Sequence, residues 1–373
     1  MKILELIFDL SPGGGERLVV DLSNAFASMG DEVVLLTIKD DAVRPEIRQF
    51  YRPELKEGVT YVNLGCRDGF SVRTLVRVYR AIKQIRPDVL HIHLEPIVKF
   101  CFPAIFLLNG KMKIVQTIHT DFNAGHNSLL YKLIFNTVGK RHRMRWVALS
   151  PSNYSDFKAK YPSLCARCIP NGRAPIEPSP LFSQVKEEVD ALRLSPSTKV
   201  FVHVARCVEV KNQTVMVEAF NAFSKDRDAC LMIIGDKYDT PLGESVRSSA
   251  GPRISFLGTR TNVGDYLLCS DCFCLASRYE GLPITVIEAI LTGTPVVSTP
   301  LPGVRDVTRE GVNAVFSSSF DRDSFVSALV EAYDHLESYK EGAMGLKDGS
   351  SCSIASCAAS YRDFFETPTF EKA

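Results

Sequence analysis

Short runs of apolar, often β-branched residues alternate along the chain with stretches of helical periodicity. The run KILELIFDL (2–10) leads into a glycine-rich turn, and apolar residues from Leu18 to Met29 then recur on one helical face. EVVLLTI (32–38) follows as a second apolar strand. This alternation predicts a parallel, doubly wound α/β sheet. Three more strands are predicted in this half of the chain, at DVLHIHL (88–94), KIVQTIH (113–119) and RWVALS (145–150).

A proline-rich segment interrupts the pattern, which then begins again. CIPNGRAPIEPSPLFS (168–183) holds four prolines and an Asn-Gly turn signal, so it is the best candidate for a linker. KVFVHVA (199–205) then opens a second α/β series. The sequence therefore predicts two Rossmann-like domains, 1–175 and 176–350, and a C-terminal helical segment, 351–373. The second series has a predicted helix at 212–225 and further strands at 229–236, 253–258, 271–276 and 295–298.

Composition and charge narrow the possible partners. The chain has 373 residues, 45% apolar and 23% charged, as in an ordinary globular protein with sizeable cores. A net charge of +1 gives no field that would attract nucleic acid, so we expect no such partner. No window approaches the ~20 apolar residues that span a bilayer, and acids interrupt the first apolar run, unlike a signal peptide. Eleven cysteines then indicate a reducing compartment, and we expect a cytoplasmic protein.

Three spacings are similar to metal-binding motifs. The cysteines of CARC (165–168) and CSDCFC (269–274) are of the right type, but alternate residues of a buried strand point opposite ways. Buried thiols that pack as small hydrophobes are the simpler interpretation. His91 and His93 lie on one face of a predicted strand, yet no third ligand is evident nearby. We interpret that pair as packing or pocket-lining residues and predict no metal site.

The turn SPGGGER (11–17) could bring a ligand close to the backbone. Glycine has no Cβ, and the N-terminus of the helix behind the turn favours an anion. Leu18 stands where the last glycine of a G-x-G-x-x-G dinucleotide fingerprint would be, and no Gly-Lys-Ser/Thr follows. The turn matches neither fingerprint, which disfavours a nicotinamide dehydrogenase.

Charged residues follow several predicted strands, where open parallel sheets bind their ligands. Arg206 follows the first strand of the second domain, and Lys211 lies at the start of the next helix. A planar arginine fork beside a lysine point charge favours a diphosphate, although a pair of solvated loop charges is the plain alternative. His119 ends a strand of the first domain, and this position favours a catalytic over a structural role.

The stretch RYEGLPITVIEAILTGTPVVS (278–298) places two acids around a helix start. A proline in the first turn and a glycine past the end predict a helix over about 283–292. Helical side chains lean toward the N-terminus, so Glu288 leans back toward the loop that holds Glu280. Carboxylates repel phosphate but accept hydrogen bonds from paired hydroxyls. Beside the basic pair, the two acids favour a nucleotide sugar as the ligand.

In this order along the chain, these elements resemble the retaining family 4 glycosyltransferases of the GT-B fold. The Glu-x7-Glu element of RYEGLPITVIEAILTGTPVVS is specific. The resemblance implies two doubly wound Rossmann-like domains that face each other across a cleft, with 351–373 packing back on the first. The other matching stretches are GGGERLVVDLSNAFASMGDEV, HT (119–120), IPNG (169–172), ARCVEVKNQ and IIGD, and the set covers nearly all of 1–316.

By position, the resemblance implies a role for each candidate residue. Glu280 would hold hydroxyls of the donor sugar, and Glu288 would hold the ribose. Arg206 and Lys211 would neutralise the departing diphosphate, and His119 would lie against the donor sugar. The family often has a glycine and an aromatic residue after the first glutamate, whereas Leu282 and Pro283 follow Gly281 here, and this departure leaves the identity of the sugar open. Gly14 and Gly15 would offer backbone N–H groups, and Leu282, Pro283 and Ile284 would line the donor site.

The resemblance further implies a configuration-retaining transfer that needs no metal, because cationic side chains neutralise the leaving phosphate. The Asp-x-Asp at 321–323 is better explained as the N-terminal cap of a helix. We expect no cofactor and UDP as the donor nucleotide, with GDP left open. A sugar-nucleotide epimerase and a non-catalytic nucleotide-sugar-binding subunit remain as alternatives.

Two basic groups in the first domain bear on the acceptor. Arg73, Arg77 and Arg80 fall on one face of a helix predicted over 73–86, and GKRHRMR (139–145) is a dense cluster. A solvated surface is the plain interpretation. The alternative is peripheral contact with an anionic membrane surface, at the inner face, or with a polyprenyl-pyrophosphate-linked acceptor. Addition of a sugar to a surface polysaccharide would fit the family.

Overall fold

The chain folds into two compact units in a computed structural model. The first unit comprises Met1–Ala174 together with Cys352–Ala373, and the second comprises Pro175–Ser351. Each unit carries its own apolar core around a parallel sheet. The structure describes residues 1–108, 110–119, 135, 139, 141, 144–347 and 352–367.

The described part of the first unit contains a seven-stranded parallel sheet in the order β3-β2-β1-β4-β5-β6-β7. The order reverses between β1 and β4, which pair directly, with Glu5 opposite His91. Strands at such a reversal bring their following loops to one ligand-binding edge. The strands are β1 (Lys2–Ile7), β2 (Glu32–Lys39), β3 (Val59–Cys66), β4 (Val89–His93), β5 (Lys113–Ile118), β6 (Arg145–Ala148) and β7 (Ala166–Cys168).

The longer helices of this unit bury apolar residues in its core. In the first of them, buried residues such as Leu18, Leu22 and Phe26 recur at helical spacing, as the sequence pattern predicts. The helices are α1 (Gly14–Ser28), α2 (Pro45–Arg48), α3 (Val72–Ile85), α4 (Val98–Leu107) and α5 (Pro151–Lys160).

The second unit repeats the plan with six described parallel strands in the order β10-β9-β8-β11-β12-β13. Here the order reverses between β8 and β11. Its strands are β8 (Lys199–Val204), β9 (Ala229–Ile234), β10 (Ile254–Gly258), β11 (Cys272–Leu275), β12 (Val296–Ser298) and β13 (Ala314–Phe316). Its helices are α6 (Phe182–Asp190), α7 (Gln213–Phe223), α8 (Pro241–Ser248), α9 (Val263–Leu268), α10 (Ile284–Thr292), α11 (Pro302–Arg305), α12 (Arg322–Asp334) and α13 (Leu336–Lys347).

The last helix, α14 (Ile354–Glu366), packs in the first unit although it follows the second in sequence. Phe365 contacts Phe26 of α1, with ring centroids 5.7 Å apart. The Tyr361 hydroxyl lies 2.9 Å from Oγ1 of Thr117 in β5. The side chains of Tyr361 and Phe365 are fully buried, so α14 supplies part of the first unit's core.

The alternation of strands and helices in the sequence predicts this fold class correctly, but it misses β3, β7 and β13. All three lie at an edge of their sheet. β3 is mostly half-buried, and β7 and β13 have three residues each, so none forms a long apolar run. The predicted cap at Asp321 is confirmed, since its side chain accepts a hydrogen bond from Ser324 N at 2.9 Å.

Candidate functional site

The sequence-predicted residues of the second unit follow the strands at the reversal of its sheet. Arg206 lies two residues after β8, and Glu280 lies five residues after β11. Because β8 and β11 are parallel neighbours, their following loops leave from the same edge. A hydrogen bond from Arg278 N to Val210 O, 2.8 Å long, ties the two loops together.

Lys211 and Glu280 form one hydrogen-bonded ion pair at this edge. The Lys211 ammonium donates to Oε1 of Glu280 at 2.6 Å, and the Ser277 hydroxyl donates to the same oxygen at 2.7 Å. The side chains are 22% and 12% exposed, so the pair is reachable but largely shielded from water. The sequence predicts separate contacts for these residues, to phosphate and to sugar. Ser277 was missed, because a lone serine in a loop carries no distinguishing signal.

Two buried polar residues, Gln213 and His203, support the loop that carries Arg206, and neither was singled out in the sequence. The Gln213 amide donates to the Arg206 carbonyl at 2.8 Å and lies 3.4 Å from Nε2 of His203. Nδ1 of His203 donates to the Cys274 carbonyl in β11 at 2.9 Å. Burial lowers the pKa of His203 to about 4, so the ring is neutral at pH 7. A lone histidine inside an apolar strand, KVFVHV, was the available signal.

Asp236 is an acid close to Arg206 that belongs to the IIGD stretch. Burial raises the pKa of its carboxyl, and the charge of Arg206 acts in the opposite direction. The backbone joins the two loops as well, since Cys207 N donates to Asp236 O at 2.9 Å. Gly235, at φ 153°, packs so tightly on the Ala205 carbonyl that a Cβ would collide with it. The loops after β8 and β9 are therefore in direct backbone contact.

The loop before α10 is closely packed. Leu282 and Ile284 are 3% and 6% exposed, and Glu288 in the second turn of α10 is 6% exposed. Pro283 is the N-cap of α10 rather than its first helical residue, one position from the prediction. Gly293 ends the helix at φ 71°, a left-handed conformation that favours glycine, as the sequence predicts.

In the first unit, the glycine-rich turn brings α1 to the end of β5. α1 begins at Gly14, and a Cβ on Gly15 would lie 3.2 Å from Nδ1 of His119. A side chain at position 13 would collide with the carboxylate of Glu16, which folds back on the turn. Gly15 and His119 thus meet at one edge, whereas Glu16 was not singled out in the sequence.

His119 is half-buried immediately after β5. Its backbone N–H donates to Oε1 of Glu95 at 3.2 Å, and its Nε2 lies 3.1 Å from Nδ1 of His93. Burial and the neighbouring His93 lower the pKa of His119 well below its usual range. The ring is therefore a neutral group at physiological pH. Thr120, its partner in the HT stretch, lies outside the described residues.

The expectation that His91 and His93 have no third polar partner is wrong. Glu5 lies beside them on β1, with its carboxylate 3.0 Å from His91 Nδ1 and 2.5 Å from His93 Nε2. Burial alone would raise the pKa of Glu5, but the charges and hydrogen bonds of the two histidines lower it to about 2. The three donor atoms are close enough for a metal ion, but they already satisfy one another and are fully buried. The signal was an acid inside the apolar strand KILELI.

The predicted basic groups differ in their surroundings. Arg73, Arg77 and Arg80 are exposed on α3, and Arg77 donates to the Leu64 carbonyl at 2.8 Å. Most of the cluster at 139–145 lies outside the described residues. The whole cluster was predicted to lie on the surface, but its last residue, Arg145, is only 2% exposed. Arg145 lies in β6 and donates to backbone carbonyls of α14, which packs against that strand.

Two family models match the chain, one in each half. Residues 12–173 match Glycosyltransferase Family 4, and residues 198–335 match Glycosyl transferases group 1. Gly15 and His119 of the first unit fall within the first match, and Arg206, Lys211 and Glu280 of the second unit fall within the second.

Curated relatives extend along most of the chain. The UDP-Gal:alpha-D-GlcNAc-diphosphoundecaprenol alpha-1,3-galactosyltransferase of Escherichia coli is 23% identical over 305 residues, which are 79% of this chain and 77% of that protein. The N-acetyl-alpha-D-glucosaminyl L-malate synthase of Bacillus anthracis is 28% identical over 233 residues, 60% of this chain and 59% of that protein.

Solved structures share the fold. Anabaena Alr3699/HepE, in a complex with UDP and glucose, aligns over 98% of this chain and 99% of its own, with a TM-score of 0.80 and 16% identity. A glycosyltransferase from Rickettsia africae aligns over 98% and 97%, with a TM-score of 0.79 and 15% identity. Together with the two parallel sheets and the family matches, these similarities place the chain in the family 4, group 1 glycosyltransferases of the GT-B fold.

Proposed function

We propose that the protein transfers a sugar, with retention of configuration, from a UDP-sugar to a hydroxyl of a glycan or lipid-linked acceptor in surface polysaccharide synthesis. The observation that carries the proposal is the Lys211–Glu280 pair, which lies with Arg206 at the reversal of the second sheet. It combines cationic donors with carboxylate acceptors, and a sugar diphosphate needs both.

The proposed roles follow from this chemistry. The bond between the anomeric carbon and the diphosphate oxygen breaks, and Arg206 and Lys211 neutralise the charge that develops on that oxygen. The acceptor hydroxyl attacks the same face of the sugar, and its proton passes to the departing phosphate. Glu280 holds sugar hydroxyls and Glu288 holds the ribose. No metal or other cofactor enters the proposed steps.

We propose roles for the other candidate residues of each unit as well. Leu282, Pro283 and Ile284 line the donor site, and the burial of Leu282 and Ile284 holds this segment in place. Gly14 and Gly15 offer N–H groups of the first turn of α1 to an anionic or hydroxyl group. His119, in the first unit, offers its ring to a substrate hydroxyl.

Relatives support UDP as the nucleotide and a lipid-linked glycan as the acceptor. The Anabaena structure holds UDP and glucose. The Escherichia coli relative is named for transfer from UDP-Gal to a diphosphoundecaprenol-linked sugar. A GDP-sugar is the remaining donor alternative, because the diphosphate and ribose contacts are common to both nucleotides.

A membrane-bound acceptor would require contact with a lipid surface, and α3 has a suitable outer face. Phe70 and Val72 are 59% and 70% exposed, and Arg73 and Arg80 of α3 are exposed as well. The segment 69–87 contains no acidic residue. Exposed apolar side chains next to cations favour an anionic lipid surface. Among the described residues, no helix is long and apolar enough to cross a membrane.

Vesicle sedimentation tests the membrane contact. The protein should bind phosphatidylglycerol vesicles more tightly than phosphatidylcholine vesicles, and salt should weaken the binding. Changing both Arg73 and Arg80 to Gln should reduce binding, whereas Lys225→Gln on the second unit should not. Equal binding to both vesicle types would contradict the proposed contact.

Ligand-induced stabilisation tests the donor proposal. Thermal unfolding should be measured with UDP, GDP and NAD, with and without EDTA, on the wild type and on Glu288→Ala. A ligand at a hundred times its dissociation constant adds about 2.7 kcal/mol. We expect UDP to stabilise the wild type regardless of EDTA, and to stabilise Glu288→Ala less. A response to GDP alone would change the donor, and no response to either nucleotide would overturn the proposal.

Two other functions are compatible with nucleotide-sugar binding. A sugar-nucleotide epimerase would interconvert the donor without an acceptor, and a non-catalytic subunit would bind it without turnover. Incubation with UDP-sugars, with and without polyprenyl-pyrophosphate acceptors, separates them. Acceptor-dependent release of UDP supports transfer, whereas a new UDP-sugar without UDP release indicates an epimerase.

A further inference from the structure

A chain of polar side chains runs through the interior of the first sheet and ends at His119. The Glu5 carboxylate on β1 lies 2.5 Å from His93 Nε2, and His93 Nδ1 lies 3.1 Å from His119 Nε2. Glu5 and His93 are fully buried, whereas His119 is half-buried. The chain therefore connects the sheet interior to an edge that solvent reaches. The roles proposed above use only its last member.

The hydrogen-bonding roles in this chain follow from its buried end. The pKa of Glu5 lies at about 2, so the carboxylate is ionised and only accepts hydrogen bonds. His93 must therefore carry its proton on Nε2. Burial and the neighbouring His91 lower the pKa of His93 to about 4, so at pH 7 it has a single ring proton. Its Nδ1 is then a bare acceptor, and His119 has to donate from Nε2.

We propose that Glu5 and His93 are positioning residues that hold His119 as the neutral Nε2–H tautomer, with the Nδ1 lone pair presented to a substrate hydroxyl. Nδ1 faces the glycine-rich turn, where a Cβ on Gly15 would lie 3.2 Å away. Among the described residues, no hydrogen bond reaches this nitrogen. The sugar contact rests on the proposed function, whereas the tautomer is a property of the free protein.

A second set of hydrogen bonds, through His91, holds the other side of the Glu5 carboxylate. Nδ1 of His91 lies 3.0 Å from Glu5, and its Nε2 lies 2.8 Å from the Thr117 hydroxyl. Tyr361 of α14 continues the branch with a 2.9 Å contact to Thr117. Glu5 is therefore held on both sides and cannot turn away from His93. Since Glu5 and His93 sit on paired strands, the β1–β4 register sets this geometry.

The surroundings of His119 favour an acceptor over a cation. The titratable groups that face it are His93 and His91 from β4, Glu5 from β1 and Glu95 from the loop after β4. Glu95 binds the backbone N–H of His119. A neutral acceptor attracts a hydroxyl hydrogen, whereas an imidazolium would repel the cationic character that develops on a sugar in transfer.

Nitrogen-15 NMR of histidine-labelled protein tests the tautomer without substrate. The protein has seven histidines, so a His119→Gln sample identifies the signals of His119 by their absence. We expect a protonated Nε2 and a bare Nδ1 that do not change between pH 8 and pH 5.5. A protonated Nδ1, or titration near the ordinary pKa of about 6.5, would overturn the proposal.

Two substitutions at His93 separate positioning from folding. His93→Gln keeps an amide donor for Glu5 and a carbonyl acceptor for His119, whereas His93→Phe keeps a ring and removes both. We expect His93→Gln to retain the tautomer, and His93→Phe to give a mixture of His119 tautomers. For transfer, His93→Phe should lower kcat roughly tenfold, the effect of one lost hydrogen bond, with the KM for the donor unchanged.

Trp146 fluorescence keeps these outcomes interpretable. This residue is the single tryptophan of the chain and is buried in the first unit, so its emission shows whether each variant is folded. A folded His93→Phe protein with the wild-type tautomer would refute the role of His93. The correct tautomer in a protein that transfers no sugar would refute the proposed function and leave the inference about His119 standing.

Discussion

The ammonium of Lys211 has three N–H donors, and one of them bonds to Glu280. Arg206 is positioned differently. The Gln213 amide donates a hydrogen bond to the Arg206 backbone carbonyl and so anchors the loop that carries Arg206. The two cations therefore differ in their dependence on Glu280.

Arg206→Ala should lower kcat for sugar transfer about 100-fold or more, because a charge-stabilising donor at the leaving group is lost. Steady-state kinetics on the folded variant measures the effect. Arg206→Lys keeps the charge and loses the planar fork, so it should recover part of the activity. Wild-type turnover in Arg206→Ala would remove this residue from the proposed site.

Lys211→Ala and Glu280→Ala should not have additive effects on transfer. Each single change leaves the other charge without its partner, so the double variant should be little worse than either single one. Coupling energies between contacting residues are about 0.5–3 kcal/mol, and a double-mutant cycle on kcat/KM measures this one. Strict additivity would mean that the pair does not act as a unit.

At the level of elements, segments at the candidate-site edge of the second sheet pack closely on each other because a glycine lies at their contact. Gly303, in the short helix α11, packs on the Gly281 carbonyl, so a Cβ there would collide with backbone rather than with a flexible side chain. This contact joins α11 to the loop that carries Glu280. The packing of one loop on the other therefore fixes the candidate site, beyond the strands themselves.

Gly303→Ala should destabilise the second unit by roughly 1–3 kcal/mol, because the added methyl forces the backbone apart. Thermal unfolding followed by circular dichroism measures the loss. Gly345→Ala in α13 is the matched control, since its Cβ would meet open space. There the change should stabilise by about 0.5–1 kcal/mol through higher helix propensity. Equal effects at both positions would contradict the close packing of α11.

Elements also show what periodicity can and cannot predict. Central strands such as β9 and β11 are continuous apolar runs, because helices cover both faces of a parallel sheet. Edge strands such as β3 and β13 lack that signal, since they are short or half-exposed. The cap of α12 at Asp321 was predictable because capping depends on residues three positions apart.

Across the whole molecule, both units bury neutral histidines against their sheets, and this sets a direction for pH dependence. The pKa values of His93 and His203 lie at about 4 in the folded chain, against about 6.5 when unfolded. Between these values the unfolded chain binds more protons than the folded one. The free energy of unfolding should therefore fall as pH drops from 6.5 toward 4.

Urea unfolding followed by Trp146 fluorescence measures this decline in the first unit. The midpoint should fall from pH 7 to pH 4.5, and Glu5, with its pKa lowered to about 2, should extend the decline below pH 4.5. His93→Gln removes one titrating group, so its midpoint should depend less on pH. A midpoint that rises on acidification would show that the buried histidines are charged in the folded protein.

The α/β alternation, the chain positions of the candidate residues and the glycine, proline and aspartate signals at helix ends could all be predicted from local sequence. These depend on interactions within a few residues. The contacts of Lys211 with Glu280 and of Glu5 with His93 became evident only from the folded structure. Such contacts join residues far apart in the chain. They depend on strand order and register, which local patterns of hydrophobicity do not specify.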